Sequence, residues 1–238
     1  METICADIQV VRDLITFAID QTIYIKSLYY YHSSNEHQTE EYCYIEEAQV
    51  LLGDCNGGKH QSKHSMEHLF SLDDLCQDNF AGLRNWYNNY HLLKPIIDLY
   101  ELVFYNVGLT PEIRFLTLMQ ALETYHARFI DRGDMSLRKR LFSLFNDNFL
   151  VMGYSLEGFI GKLVNTRNYY THYSPAKERL AFRDEELLFA NGILHWVVAY
   201  HLLCNIGFEE HFIKDKVYRH IRSIGRQFQH YGIVQSEV

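Results

Sequence analysis

Residues 156–172 read LEGFIGKLVNTRNYYTH, and this stretch decides the fold because its apolar residues recur at helical spacing. At about 100° per residue, four apolar side chains fall within about 60° of Arg167 around the helix axis, those of Leu156, Ile160, Leu163 and Val164. Ser155 is a typical helix cap, and Ser174-Pro175 is expected to end the helix. A helix with such an apolar face must pack against neighbours.

The same helix carries a motif that reads R-N-x-x-x-H, formed by Arg167, Asn168 and His172. A histidine transfers protons near neutral pH, and an arginine binds a phosphate through a rigid fork of donors. An asparagine can orient either group. Together these side chains supply what RNA cleavage without a metal requires.

Arg167 is expected amid the apolar face of the helix, where a guanidinium without a partner is costly. It therefore needs a carboxylate or a phosphate. Gly161, Asn165, Asn168 and His172 gather at about 100° to 160° from it, which gives a polar strip where a second helix or a substrate can approach. The structural alternative is a buried salt bridge for the arginine and a helix-capping role for the histidine.

An upstream helix, expected over residues 111–132, supplies supporting residues. Glu123, at the margin of its apolar arc, could pair with Arg167 or accept a hydrogen bond from His172 and raise its basicity. His126 lies within the arc. It is interpreted first as a core histidine with satisfied hydrogen bonds and second as a catalytic group.

The surrounding sequence predicts a mainly α protein, an antiparallel bundle of long amphipathic helices joined by short connections. Pro95 is expected to kink or break the first long helix. Besides the motif helix, helices are expected over residues 80–107, 111–132, 137–146, 184–205 and 209–231, and a helix start at Ser71-Leu72-Asp73-Asp74.

The first 75 residues have a different pattern and predict a small α/β appendage to a helical domain at 76–238. Residues 11–20 suit a short helix, and residues 22–31 and 42–52 suit two strands of a hairpin. Residues 33–41 are polar and predict a loop. Two strands and a helix are too few for an independent domain.

Charge is unevenly distributed along a chain whose net charge is −8. Residues 1–100 hold 15 acidic and 6 basic residues, whereas residues 101–238 hold 15 acidic and 16 basic ones. Basic residues that could bind RNA are Lys139 and Arg140, and a stripe at i, i+3 and i+7 formed by Arg219, Arg222 and Arg226. The alternative for the stripe is a solvated helix face.

Composition limits the class of protein. Hydrophobic residues make up 47% of the 238, enough for a packed core. No segment approaches the roughly 20 uninterrupted apolar residues that span a bilayer, and the N-terminus lacks a signal-peptide pattern. The five cysteines are odd in number and scattered, as in reduced thiols. These features predict a cytoplasmic protein without a membrane partner.

An alternative functional site is a zinc site formed by Cys55, His60, His64 and His68. The histidines are spaced i, i+4 and i+8, but no CxxC pair accompanies them, and Gly57-Gly58 favours a loop. The sequence contains neither a phosphate-binding glycine loop nor a G-x-S-x-G elbow. We therefore expect no metal and no cofactor.

Two segments carry a resemblance to a known family. Residues 115–126, FLTLMQALETYH, and 163–173, LVNTRNYYTHY, resemble the ApeA-like branch of HEPN ribonucleases, whose motif is R-x4-6-H with a polar residue after the arginine. The resemblance covers roughly residues 80 to 230. It implies a HEPN-type bundle with Arg167, Asn168 and His172 as catalytic residues, and a short chain that retains only a remnant of a sensor-like N-terminal domain.

The resemblance also implies a metal-independent endoribonuclease of bacterial anti-phage (abortive-infection) defence. Such a protein would act on RNA, tRNA included, as a homodimer through the motif helices, and would respond to a phage-derived trigger. Two alternatives stay open. One is a non-catalytic HEPN module for dimerisation or regulation. The other is a nucleotide-binding module in which the same arginine and histidine hold a phosphate without cutting it.

Overall fold

The computed structural model describes residues 2–25, 27–30, 36–38, 43–45, 48–50, 68–105, 108–149 and 154–230. The chain divides into two compact units, residues 1–68 and residues 69–238. Where the structure describes them, the first contains a helix and four short strands, and the second is built of helices.

The first unit begins with helix α1 (Glu2–Ile19), which starts earlier than the helix predicted over residues 11–20. Its strands form two antiparallel pairs, β1 with β4 and β2 with β3, at Leu28–Tyr30, Glu36–Gln38, Cys43–Ile45 and Ala48–Val50. The pairing of β1 with β4 joins the two segments predicted as a hairpin, 22–31 and 42–52. One expectation was wrong. Strand β2 lies within the predicted loop, because backbone pairing with β3 holds a polar segment that hydrophobicity does not mark.

The second unit contains seven helices and one 3₁₀ turn in its described residues. The α-helices are α2 (Leu72–Tyr105), α3 (Pro111–Phe129), α4 (Leu137–Leu144), α5 (Leu156–His172), α6 (Pro175–Glu178), α7 (Asp184–Ile206) and α8 (Glu210–His230), and the 3₁₀ turn is Asp147–Phe149. The prediction of a mainly α, bundle-like fold is confirmed. Helix α6 was not predicted because one turn carries no periodic signal.

Helix α7 is the centre of the unit. It packs against α2, α3 and α8, and 14 of its 23 residues are buried. Among the described residues it is the one helix long and apolar enough to cross a membrane, but 72% of its most apolar window is buried within the protein. Its hydrophobicity on all sides is that of a core helix.

Helix α2 begins where Ser71 predicted. The Ser71 backbone N–H donates to Asp74 Oδ2 at 2.7 Å, and the Asp74 N–H donates to Ser71 Oγ at 3.3 Å, which is a reciprocal cap. The irregular backbone of α2 lies at residues 77–80, where Asp78, Asn79 and Phe80 have positive φ. Of the kink or break expected at Pro95, the break is absent, because α2 continues through this residue.

Pro95 nevertheless leaves α2 with a backbone carbonyl that can accept a hydrogen bond from a neighbouring helix. A proline has no backbone N–H, so the carbonyl four residues earlier, that of His91, has no partner within the helix. Arg128 of α3 supplies one, because its Nη1 lies 3.3 Å from His91 O and 3.1 Å from Leu92 O. Pro95 thus fixes one end of the Arg128 guanidinium.

Helix α4 is held at its C-terminus by a histidine of α7. The Nε2 atom of His201 lies 2.9 Å from the carbonyl oxygen of Leu144, the last residue of α4, so a ring N–H there satisfies a carbonyl that the helix leaves open. His201 is buried, and burial lowers its pKa to about 4.

This histidine predicts acid sensitivity of the fold. Its folded-state pKa of about 4 lies below the ordinary value of 6.5, so the unfolded chain binds more protons between these values and stability is lost as pH falls through that window. Across the whole window, protonation of this one group lowers the free energy of unfolding by about 3 kcal/mol relative to neutral pH. Urea unfolding of the wild type and His201→Gln from pH 7.5 to pH 4.5 measures it. We expect the variant to lose part of the pH dependence, and equal slopes would contradict the assignment.

Candidate active site

Helix α5 presents the motif residues between two well-defined ends. Ser155 Oγ accepts a hydrogen bond from the Gly158 N–H at 3.1 Å, as its capping role predicted. Tyr173 ends the helix in the left-handed conformation, with φ of 48°. His172 is therefore the last helical residue.

Arg167 lies at the edge of the buried face of α5, which is formed by Phe159, Ile160, Leu163, Thr166 and Tyr170. The side chain is 35% exposed, so the guanidinium is only partly desolvated. Its long stem crosses the apolar face and brings the charged end to an opening. Arg167 Nε lies 3.6 Å from Glu123 Oε1. Glu123 thus pairs with Arg167, which is the first of the two roles considered for it. Both side chains are partly exposed, so this ion pair is weak.

The opening is a cleft of about 540 Å³ between α3, α4 and α5. Three arginines line it, Arg128 from α3, Arg140 from α4 and Arg167 from α5, and we call it the arginine cleft. Glu123 is the one carboxylate that the described residues place on its wall. Three guanidinium groups and one carboxylate leave two positive charges in excess, which favours an anion.

The structure thus brings Arg140, predicted to bind RNA, to the same cleft as the motif arginine. Arg128 was missed by sequence reasoning. The available signal was a polar strip along one side of α3, since Gln120, Thr124 and Arg128 recur every four residues and all line the cleft.

Asn168 and His172 lie on a different face of α5 from the cleft. They stand about 100° and 140° around the helix axis from Arg167, and neither lines the arginine cleft. Asn168 is half-buried and His172 is exposed, and no described residue hydrogen-bonds its ring. Within one chain, Arg167 therefore opens to the cleft, and His172 is exposed on another face of the same helix.

His126 was expected to be a core histidine with satisfied hydrogen bonds, and only half of this expectation is correct. The side chain is fully buried, but neither ring nitrogen has a hydrogen-bond partner among the described residues. Burial lowers the pKa of His126, and the positive charge of Arg140 lowers it further. The ring is fully buried and does not line the arginine cleft.

The remaining predicted RNA-binding residues are exposed but separate from the cleft. Lys139 does not line it. Arg219, Arg222 and Arg226 are exposed on α8, which packs mainly against α7, and Arg219 Nη2 forms an ion pair with Asp215 Oδ2 at 2.6 Å. The structure does not bring this stripe to Arg167.

The zinc hypothesis falls mostly outside the described residues. Cys55, His60 and His64 are not among them, and His68 is. Within the part of the chain that the structure describes, no group of three or more His, Cys, Asp or Glu side chains could hold a metal ion.

Comparison with known proteins gives one match. Residues 116–212 match the family model described as Apea-like HEPN. The segment extends from α3 into α8 and contains the whole R-N-x-x-x-H motif, so the resemblance based on those residues is confirmed over this segment, which is less than half of the chain. Searches of curated proteins and of solved structures gave no match.

Proposed function

Because residues 116–212 match the Apea-like HEPN family model, we propose that the chain is a metal-independent endoribonuclease. One geometric feature supports this activity above all: the motif arginine, Arg167, opens onto a cleft with a positive excess, while His172 stands exposed on the adjoining face of the same helix. A polyanionic strand that lies along this end of α5 can contact both groups.

The chemistry is a transesterification within the RNA. The 2′-hydroxyl attacks the adjacent phosphorus, and the bond to the 5′-oxygen of the next nucleotide breaks. His172 removes the proton from the 2′-hydroxyl or protonates the leaving 5′-oxygen. Arg167 stabilises the negative charge that develops on the phosphoryl oxygens, and Asn168 orients the histidine or the arginine. The products carry a 2′,3′-cyclic phosphate and a 5′-hydroxyl.

A homodimer through the motif helices fits the exposure of this region. His172 and Tyr173 are both exposed at the end of α5, and the Tyr173 side chain is 65% exposed although it is aromatic. Two copies packed by a twofold axis would bring two motifs together, so that one scissile linkage meets groups from both chains.

The decisive experiment compares RNA with single-stranded DNA of the same sequence in excess EDTA. We expect cleavage of the RNA alone, at a rate that the chelator does not change, because DNA lacks the attacking 2′-hydroxyl. End analysis should find the cyclic phosphate. Cleavage of DNA, or loss of RNA cleavage in EDTA, would contradict the proposal.

The arginine cleft also supports a second candidate, a nucleotide-binding module that holds a phosphate without cutting it. The same assay separates the two, since this module would bind RNA or a nucleotide and release it intact. The role in anti-phage defence, with a phage-derived trigger, rests on the family resemblance and is part of the proposal.

A further inference from the structure

We propose that Arg128 and Arg140 bind backbone phosphates of the RNA next to the scissile linkage, so that the arginine cleft holds the strand while the motif cuts it. This role rests on the proposed function, and it adds two residues that do not belong to the motif. It also assigns the strand a path between α3, α4 and α5.

Arg128 is held in place before any ligand arrives. Its Nη1 is occupied by the His91 carbonyl, which has no helical partner because of Pro95, and by the neighbouring Leu92 carbonyl. The rest of the guanidinium has no partner among the described residues, and the side chain lines the cleft. Because one side of the fork is fixed, binding a phosphate on the other side costs less side-chain entropy.

Arg140 is fixed in a similar way from the opposite wall. Its Nε donates to the Met135 carbonyl at 2.9 Å, and its Nη2 lies 3.5 Å from the Gly133 carbonyl. No described carboxylate forms an ion pair with Arg128 or Arg140. The neighbouring His126 ring is buried and neutral at neutral pH, so it neither repels nor neutralises the guanidinium.

The rest of the cleft is suited to a phosphodiester. Gln120 and Thr124 add hydrogen-bond donors to the wall. Its volume of about 540 Å³ lies within the range of about 300–1,000 Å³ that ligand sites occupy. Glu123 is the opposing charge, but its contact with Arg167 is long, at 3.6 Å, and a phosphate can replace it.

The test is binding of a strand that cannot be cleaved, so that it does not depend on catalysis. Fluorescence anisotropy with a 2′-deoxy oligonucleotide compares the wild-type protein with Arg128→Gln, Arg140→Gln and the control Arg179→Gln, which removes an exposed arginine outside the cleft. We expect each cleft variant to bind roughly tenfold more weakly. The slope of log Kobs against log salt should fall in magnitude by about 0.7 per lost contact, whereas the control should change neither quantity.

Two further variants separate charge from folding. Arg140→Lys keeps the charge and should retain the salt slope with reduced affinity. Thr124→Asp adds a carboxylate to the cleft without removing either arginine's backbone contacts, and should weaken binding as the arginine variants do. Thermal unfolding confirms that each variant is folded.

Wild-type affinity and salt slope in both arginine variants and in Thr124→Asp would overturn the assignment. Tight binding of a nucleoside triphosphate without binding of the strand would do so as well. Neither result would contradict the proposal that the wild-type protein cleaves RNA. Conversely, a wild-type protein that binds the strand through these arginines but never cuts RNA would overturn the proposed activity and leave the cleft assignment standing.

Discussion

Replacing His172 by alanine should reduce RNA cleavage by roughly 100- to 10,000-fold, the range that a positioned general acid or base contributes. The fold should be unaffected, because the side chain is exposed at the last residue of α5 and no described residue hydrogen-bonds its ring. Initial rates on a labelled RNA, with circular dichroism and thermal unfolding of both proteins, measure the two effects separately.

His211→Ala is the matched control for His172→Ala. His211 is also an exposed histidine, at the start of α8, where it contacts Glu209. We expect wild-type cleavage from this variant. If His172→Ala cut RNA at the wild-type rate, His172 would not be a catalytic residue. In bacteria, growth inhibition by the wild-type protein and its relief by His172→Ala would extend the result to the defence role.

The motif helix could be predicted from sequence because its signals are local. Ser155 caps it through a hydrogen bond to a residue three positions away, and apolar residues at helical spacing mark its buried face. The ends of the other long helices followed from similar signals. The short strands of the first unit did not, since β2 depends on pairing with β3 and carries no apolar alternation.

The environment of Arg167 could not be predicted from the helix alone. A helical wheel assigns a direction to the Cβ atom, but the guanidinium lies several ångströms beyond it and can leave that face. The position of Arg140 beside Arg167 depends on how α4 packs against α3 and α5. That packing is tertiary and leaves no periodic trace in the sequence.

For His126, in the core, burial could be predicted from the sequence but hydrogen-bond partners could not. Its place in an apolar arc correctly predicted burial, because burial follows from periodicity. Hydrogen-bond partners are set by whichever groups neighbouring helices present, and here the described residues offer none to the ring. Burial, and the nearby positive charge of Arg140, lower the pKa of His126.

Replacing Arg167 by alanine should lower kcat by roughly 100- to 1,000-fold, the effect of removing one group that stabilises transition-state charge. Arg167→Lys should recover only part of this loss, because an ammonium cannot bind two phosphoryl oxygens through a fixed fork. Stability should change little, since the ion pair with Glu123 joins two partly exposed side chains at 3.6 Å.

The separate effects on kcat and KM should distinguish Arg167 from the other arginines of the cleft. An interaction made only in the transition state lowers kcat and kcat/KM together, whereas one made equally with bound substrate raises KM alone. We therefore expect Arg167→Ala to act on kcat, and Arg140→Gln, which loses a phosphate remote from the reacting atoms, to act on KM. If Arg167→Ala raised KM with an unchanged kcat, Arg167 would be another strand-binding residue, and the charge of the transition state would have to be stabilised by a different group.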